Sequence, residues 1–277
     1  MAGPELRGIF RQPFAEQLTA WRLRLGHLVP TSRWDDLRHN AHDRAFMVAG
    51  AVKADLLADL ARAVDRAISE GTGYDAFRAE FQDIVERHDW HGWTGEDSER
   101  GREWRMRTIY RTNLQTTYMA GRLAQLRESG FKYWVYRHGG SLHPRLHHLA
   151  WDGLILPADH PFWLTHFPPN GWGCSCRVFG ARSIAAAIRR GGNPRLKLPA
   201  NWNVPDPATG RPAGIGPGWD YAPGAGTADL IPVMAEKATD WPAGITEAFL
   251  AELPPEQSAL IRAVMRSPAL NTGAPAP

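Results

Sequence analysis

Apolar residues recur at helical spacing through the first half of the chain and lose that rhythm beyond Gly130. Between residues 44 and 70, Phe46, Val48, Val52, Leu56, Leu57, Leu60, Val64 and Ile68 fall close to the 3.6-residue period. That spacing predicts one helix, stopped by Gly71-Thr72-Gly73. A shorter helix is predicted over 13–25. Thr31-Ser32 reads as an N-cap ahead of Trp34-Asp35-Asp36-Leu37, with acids in the first turn. Residues 74–87 carry Phe77, Phe81, Ile84 and Val85 on one face. After a loop with Gly92, Gly95 and Gly101, a long helix is predicted over 102–128 and closed by Gly130.

Beyond Gly130 the run Phe131-Lys-Tyr-Trp-Val-Tyr-Arg137 is aromatic and β-branched, which favours a strand. Residues 154–156 and 177–179 are two further short strand candidates, and 183–190 a short helix. Proline marks the same division. Three of the 22 prolines lie in residues 1–130, and proline breaks helix interiors and central strands. The stretch 193–226 is rich in proline and glycine but keeps Trp202, Trp219 and Tyr221, which predicts an ordered strap packed on the body. Two short helical segments follow, then a tail, 271–277, expected to be disordered. The expected fold class is α+β: a mostly helical N-terminal half, then a small, loop-rich module with short antiparallel strands. Its parts are a helical region (1–101), the module (102–226) and a C-terminal helical segment with its tail (227–277).

Composition narrows the class. Apolar residues make up 43% and charged residues 22% of the 277 positions, values of a globular chain. No apolar run reaches the roughly 18 residues of a spanning helix, so no membrane partner is expected. The N-terminus lacks the apolar stretch of a signal peptide. Cys174 and Cys176 are the two cysteines, too few for a disulfide framework, which places folding in a reducing cytoplasm. Their one-residue spacing also makes a bond between them strained. The net charge of +3 hides two basic clusters, ten basic against three acidic residues over 99–145 and seven against one over 177–211. Such clusters attract phosphate or pair with acidic partners.

Two constellations could carry chemistry. His143, His147, His148, Asp152, His160 and His166 precede Cys174 and Cys176. Imidazole and thiolate are zinc's preferred ligands, and His148, Cys174 and Cys176 are the candidate metal residues. C-x-C is tighter than the spacing of common zinc knuckles, so a dry core of packed thiols and imidazole stands beside zinc as the alternative. No phosphate loop or nucleophile elbow accompanies the cluster. The second constellation is on the long helix, where Arg100, Arg107, Arg111 and Arg122 fall within an arc of about 60° if the helix is continuous. Arg107, Arg111 and Arg122 are the candidate contacts to DNA or an acidic partner. The other reading is one or two buried arginines tying the helix to backbone carbonyls of the C-terminal half, with the rest exposed.

Several motifs resemble one family in order. Tyr110-Arg-Thr-Asn-Leu-Gln-Thr-Thr-Tyr-Met-Ala-Gly-Arg122 resembles the signature helix of the Mu F-like phage head morphogenesis (minor head protein) family, through Tyr110, Arg111, Asn113, Ala120 and Arg122. His148-Leu-Ala-Trp-Asp-Gly153 resembles its H-x-A-x-x-G element, through His148 and Gly153. Asp159-His-Pro-Phe-Trp163 and Pro168-Pro-Asn-Gly-Trp-Gly-Cys-Ser-Cys-Arg177 resemble its Cys loop, through Asn170, Gly171, Cys174 and Cys176. Gly216-Pro-Gly-Trp-Asp-Tyr-Ala-Pro-Gly224 resembles its strap, through Pro217, Gly218 and Tyr221. The likeness covers roughly residues 10–226. The loop before His148 departs from the pattern: it lacks the family's opening acid, and Arg145 is the nearest counterpart of its arginine.

The resemblance implies a virion protein of a tailed phage or prophage. Such a protein lies inside the head near the portal, contacts the portal and other head proteins, and assists assembly and DNA packaging or delivery. During assembly it occupies the host cytoplasm. Related modules are also fused to toxins, but about fifty residues follow the strap, fewer than the roughly hundred such an enzyme needs. The expectation is a non-enzymatic protein that needs no cofactor unless zinc binds, with weak, sequence-independent DNA contact. The alternative is a zinc-dependent enzyme or toxin-like domain built on the His/Cys cluster.

Overall fold

The computed structural model describes residues 14–266, apart from 38, 40, 208, 228–234, 236, 237, 240 and 254. The 271–277 tail expected to be disordered lies outside the described residues, as does Pro13. The chain is α+β and divides into two compact units, 1–225 and 226–277.

Helices dominate the first part of the larger unit. They are α1 (Ala15–Leu25), α2 (Ala41–Arg44), α3 (Ala54–Ser69), α4 (Tyr74–His88) and α5 (Glu99–Glu128). Two departures from the periodicity have local causes. Residues 31–37 form turns instead of a helix, because the Asp36 carboxylate accepts from the Ser32 and Arg33 N–H groups at 2.9 and 2.8 Å and so competes with helical bonding. The helix expected over 44–70 begins only at Ala54, as α3, and residues 45–53 are non-helical after α2 ends at Arg44. At the break the Phe46 N–H donates to His27 O and its carbonyl accepts from Val29 N–H, in a short parallel bridge. Phe46 thus reaches the core from extended backbone, 1% exposed. The long helix starts slightly earlier than its apolar pattern, where the Ser98 hydroxyl accepts from Gly101 N–H at 3.0 Å and caps it.

The sheet follows α5. Strands β1 (Tyr133–Arg137), β2 (Ile155–Pro157) and β3 (Arg177–Ala181) pair antiparallel in the order β2-β1-β3. Trp134 lies opposite Leu156 on one side and Gly180 on the other. Three short helices, α6 (Leu146–Ala150), α7 (Phe162–Thr165) and α8 (Ile184–Arg189), punctuate the loops. Three successive residues of β1, Trp134, Val135 and Tyr136, are all buried. Trp134 and Tyr136 enter the main aromatic core, while Val135 packs with Ala181 and Ala187 of α8 on the opposite face. A strand covered on both faces has no reason to alternate.

Helix α5 serves two cores. Its first half contributes Met106 and Ile109 to a cluster with Trp21, Leu57, Leu60, Phe77 and Phe81. Its second half contributes Met119, Leu123 and Leu126 to the cluster under the sheet. The strap completes that second cluster. Trp219 and Tyr221 are each 6% exposed, and Trp202 packs its ring 5.7 Å from Phe162 and 5.3 Å from His166. The strap is therefore part of the body, as its aromatics predict. In the smaller unit, α9 (Ala243–Glu252) and α10 (Pro255–Met265) bury Leu250 and Ile261 together with Ala235.

Gly121 sets the closest approach of α1 to α5. A Cβ there would lie 2.7 Å from the Gln17 N atom and 2.9 Å from both Glu16 C and the Phe14 ring. Backbone cannot yield as a flexible side chain can, so Gly121→Ala is expected to destabilise the protein by about 1–3 kcal/mol, read as a lowered midpoint of urea unfolding.

Candidate functional site

Extended backbone leads from the Cys loop into β3, and burial alternates along it: Cys174 and Cys176 are buried and Ser175 between them is half-buried. In extended chain, residues two apart share a face, so the tight C-x-C spacing puts both sulfurs on the inner side. There they meet His148, the third residue of α6. Its Nδ1 lies 3.6 Å from Cys174 Sγ and 3.7 Å from Cys176 Sγ. Both cysteines are free thiols. On the other edge of the ring, His148 Nε2 donates to the Gly214 carbonyl at 2.8 Å, which leaves Nδ1 as the lone-pair nitrogen facing the sulfurs. Gly214 has φ +86°, and a Cβ on it would stand 2.6 Å from His147 Cβ and 2.7 Å from the Trp151 ring.

The surroundings are aromatic and buried. The Trp151 ring stacks on His148 at 5.4 Å. Tyr136 donates its hydroxyl to Asn170 Oδ1 at 3.0 Å, and the Asn170 carbonyl accepts from Gly216 N–H in the strap. A hydrogen bond between the two thiols dominates their titration. It raises Cys174 above the ordinary thiol range, an effect that burial reinforces. It lowers Cys176, helped against burial by His148 and Tyr136. Burial pushes His166 down to about 4, with the nearby His148 adding to it.

The other residues of the two constellations separate. His143 and His147 are exposed. Asp152 accepts from Arg137 Nε and His138 N–H, each at 2.8 Å. Burial opposes its ionisation, but these two donors outweigh it and hold the carboxyl below its usual range. His160 accepts from Phe162 N–H at the start of α7. Arg145 donates to the Trp172 carbonyl at 2.7 Å and lies against Gly171, so it ties the His loop to the Cys loop. Gly153, through its carbonyl, receives Asn193 N–H at 2.7 Å.

Helix α5 is continuous, so the arginine arc is real, but its members differ. Arg107 pairs with Glu103 and lies 4.9 Å from the centre of the Tyr74 ring. Arg122 donates to Gln125 at 2.6 Å. Arg111 is exposed and lines a groove of about 570 Å³ with Tyr110, Gln115, His143, Gly171 and Cys174. Among the described residues the buried arginines are Arg24 and Arg105, which periodicity did not single out. Arg105 donates to the Ala49 carbonyl, in the N-terminal half and not the C-terminal half that the sequence suggested. Arg24 reaches Thr116 Oγ1 at 2.8 Å and Asn113 Oδ1 at 3.5 Å. Asn113 thus holds α1 to the signature helix, and Ala120 meets Gly224 of the strap. Pro217, Gly218, Trp219 and Tyr221 border an apolar cleft with Arg24 and Trp34. The sequence reading also missed Tyr136 and Gly214 as partners of the centre. Tyr136 registered as a strand aromatic, and nothing local marks Gly214.

A long helix, a small antiparallel sheet and a buried His–Cys–Cys centre laced by a strap make up the module. Residues 58–179 match the family described as Phage Mu protein F like protein. Two relatives extend the likeness. One is the "Mu-like prophage FluMu F protein" of Haemophilus influenzae, 39% identical over 165 residues, or 57% of this chain and 40% of that protein. Another is the "Putative capsid assembly protein F" of Escherichia phage Mu, 34% identical over 167 residues, or 57% of this chain and 37% of that protein. The chain thus spans about two fifths of the length of these relatives. No solved structure matches it.

Tyr136→Phe removes the donor to a fully buried Asn170 oxygen. It is expected to cost about 1–3 kcal/mol, measured by urea unfolding, with the near-ultraviolet circular dichroism of the aromatic core otherwise retained.

Proposed function

We propose that the chain is a structural, non-enzymatic component of tailed-phage or prophage head assembly, acting inside the head near the portal. The observation that carries this reading is the match to the family and to a relative from phage Mu named for capsid assembly. The centre supports it. Its thiols and imidazole are buried beneath aromatic rings, and Asp152, the carboxylate nearest in sequence to His148, is occupied by Arg137 and His138. A nucleophile without an accessible base does not make an active site.

The surface around α6 offers a docking face for head proteins, the portal first among them. Leu142 is 92% and Leu146 80% exposed, with Leu149 and Trp172 also open to solvent. Clustered apolar side chains of this kind mark interaction surfaces. DNA contact is secondary in this proposal. It rests on Arg111 and Arg122, since Arg107 is partly neutralised by Glu103, and it has no base-reading element.

Leu142→Asp combined with Leu146→Asp is expected to abolish incorporation into heads when the variant gene replaces the native one. Incorporation is read by mass spectrometry of purified procapsids, with the thermal midpoint of the isolated protein unchanged. Normal incorporation of that variant would remove this face from the assembly contact. For DNA, weak retention of duplex fragments at low salt should vanish as salt rises, and Arg111→Glu with Arg122→Glu should weaken it several-fold. Equal binding by that variant would leave these arginines a structural role.

A further inference from the structure

We propose that His148, Cys174 and Cys176 bind one zinc ion that pins the Cys loop, α6 and, through Gly214, the strap into one unit. The inference stands independently of the head-assembly reading. Its ground is geometry. With Zn–S near 2.3 Å and Zn–N near 2.0–2.1 Å, tetrahedral ligands lie about 3.5–3.8 Å from one another. The His148 Nδ1 to sulfur distances are 3.6 and 3.7 Å, and all three donor atoms lie within 4.8 Å of each other. These distances match the edges of a coordination tetrahedron.

The chemistry of the donor set agrees. The lone pair on Nδ1 faces both sulfurs. Nε2 is committed to the Gly214 carbonyl, the outer-shell arrangement that orients a metal-bound imidazole and strengthens it as a ligand. Binding converts two thiols to thiolates and sends their protons to solvent. Zn²⁺ with two thiolates and a neutral imidazole has no net charge, the form a buried site tolerates best. Oxidation is not an alternative fate, because residues two apart in extended chain cannot close an unstrained bond.

Three protein donors leave one tetrahedral position. Of the three ligands, Cys174 is the one that borders the groove beside α5, so we assign the fourth position to solvent reaching it from that groove. His143 borders the same groove and is the protein group to exclude.

The test is metal analysis of the full chain, expressed with zinc available and exchanged into metal-free buffer without chelator. One zinc per chain is expected. Cobalt(II) put in its place should give the strong visible bands of a tetrahedral site and a thiolate-to-metal band in the near ultraviolet. A strong chelator should lower the thermal midpoint by roughly 10 °C, and added zinc, but not magnesium, should restore it. Cys174→Ser, Cys176→Ser and His148→Gln should each lose the stoichiometric metal. Because these variants could fail to fold, the decisive measurement is on the unmodified chain. A folded, metal-free protein whose midpoint ignores zinc and chelator overturns the proposal in favour of a dry thiol–imidazole core. His143→Ala should keep both metal and cobalt spectrum, and loss of either would overturn the solvent-filled position.

Discussion

The close approach of three chain segments at Ala120 and Gly121 is the constraint on which the rest of the larger unit depends. Helix α1 lies against α5 at Gly121, with Gln17 backbone where a Cβ would be. One residue earlier, the Gly224 end of the strap lies against Ala120. Small side chains on α5 therefore let one helix be gripped from both sides. Polar bonds fix the register of that grip. Gln17 donates to the Leu114 carbonyl and Thr117 hydroxyl, and Arg24 reaches Thr116 and Asn113. Buried polar contacts of this sort specify one arrangement where apolar packing alone would accept several. The two cores then follow, since a helix held in one rotation presents Met106 and Ile109 to one side of the molecule and Leu123 and Leu126 to another.

What the sequence made legible follows from how local each determinant is. Helices α3, α4 and α5 carry their own apolar period, and β1 its own β-branched and aromatic run, so all four could be read from windows of a dozen residues. The division at 31–54 could not. There Asp36 turns the chain through its side chain, and Phe46 pairs with backbone 18 residues away, a contact that leaves no periodic trace. The ordered strap was legible because Trp202, Trp219 and Tyr221 are too many large rings for a linker to leave in water.

The centre divides in the same way. Histidine and cysteine announce themselves by type, and the C-x-C pair becomes intelligible once the segment is known to be extended. Gly214 supplies a carbonyl, which any residue has, so sequence alone gives no hint that it orients His148. Arg24 and Arg105 are invisible for a related reason. Their burial comes from what α1 and α5 pack against, and the arginines on the periodic arc are the ones that remain near solvent.

The module beyond α5 has little regular structure with which to hold itself. Its strands are three to five residues long and its helices four to six, so backbone ladders fix few of its loops. Side chains do that work at fixed points. Arg145 joins the His loop to the Cys loop, Asn170 joins the Cys loop to β1 and to the strap, and His148 joins α6 to the strap and to both cysteines. Each link closes a long stretch of chain, 66 residues between His148 and Gly214. The entropy of closing such a stretch grows only slowly with its length, so a few well-placed polar links inside an aromatic core can order many residues. The centre thus holds three loops at one point, beneath Trp151 and beside Tyr136.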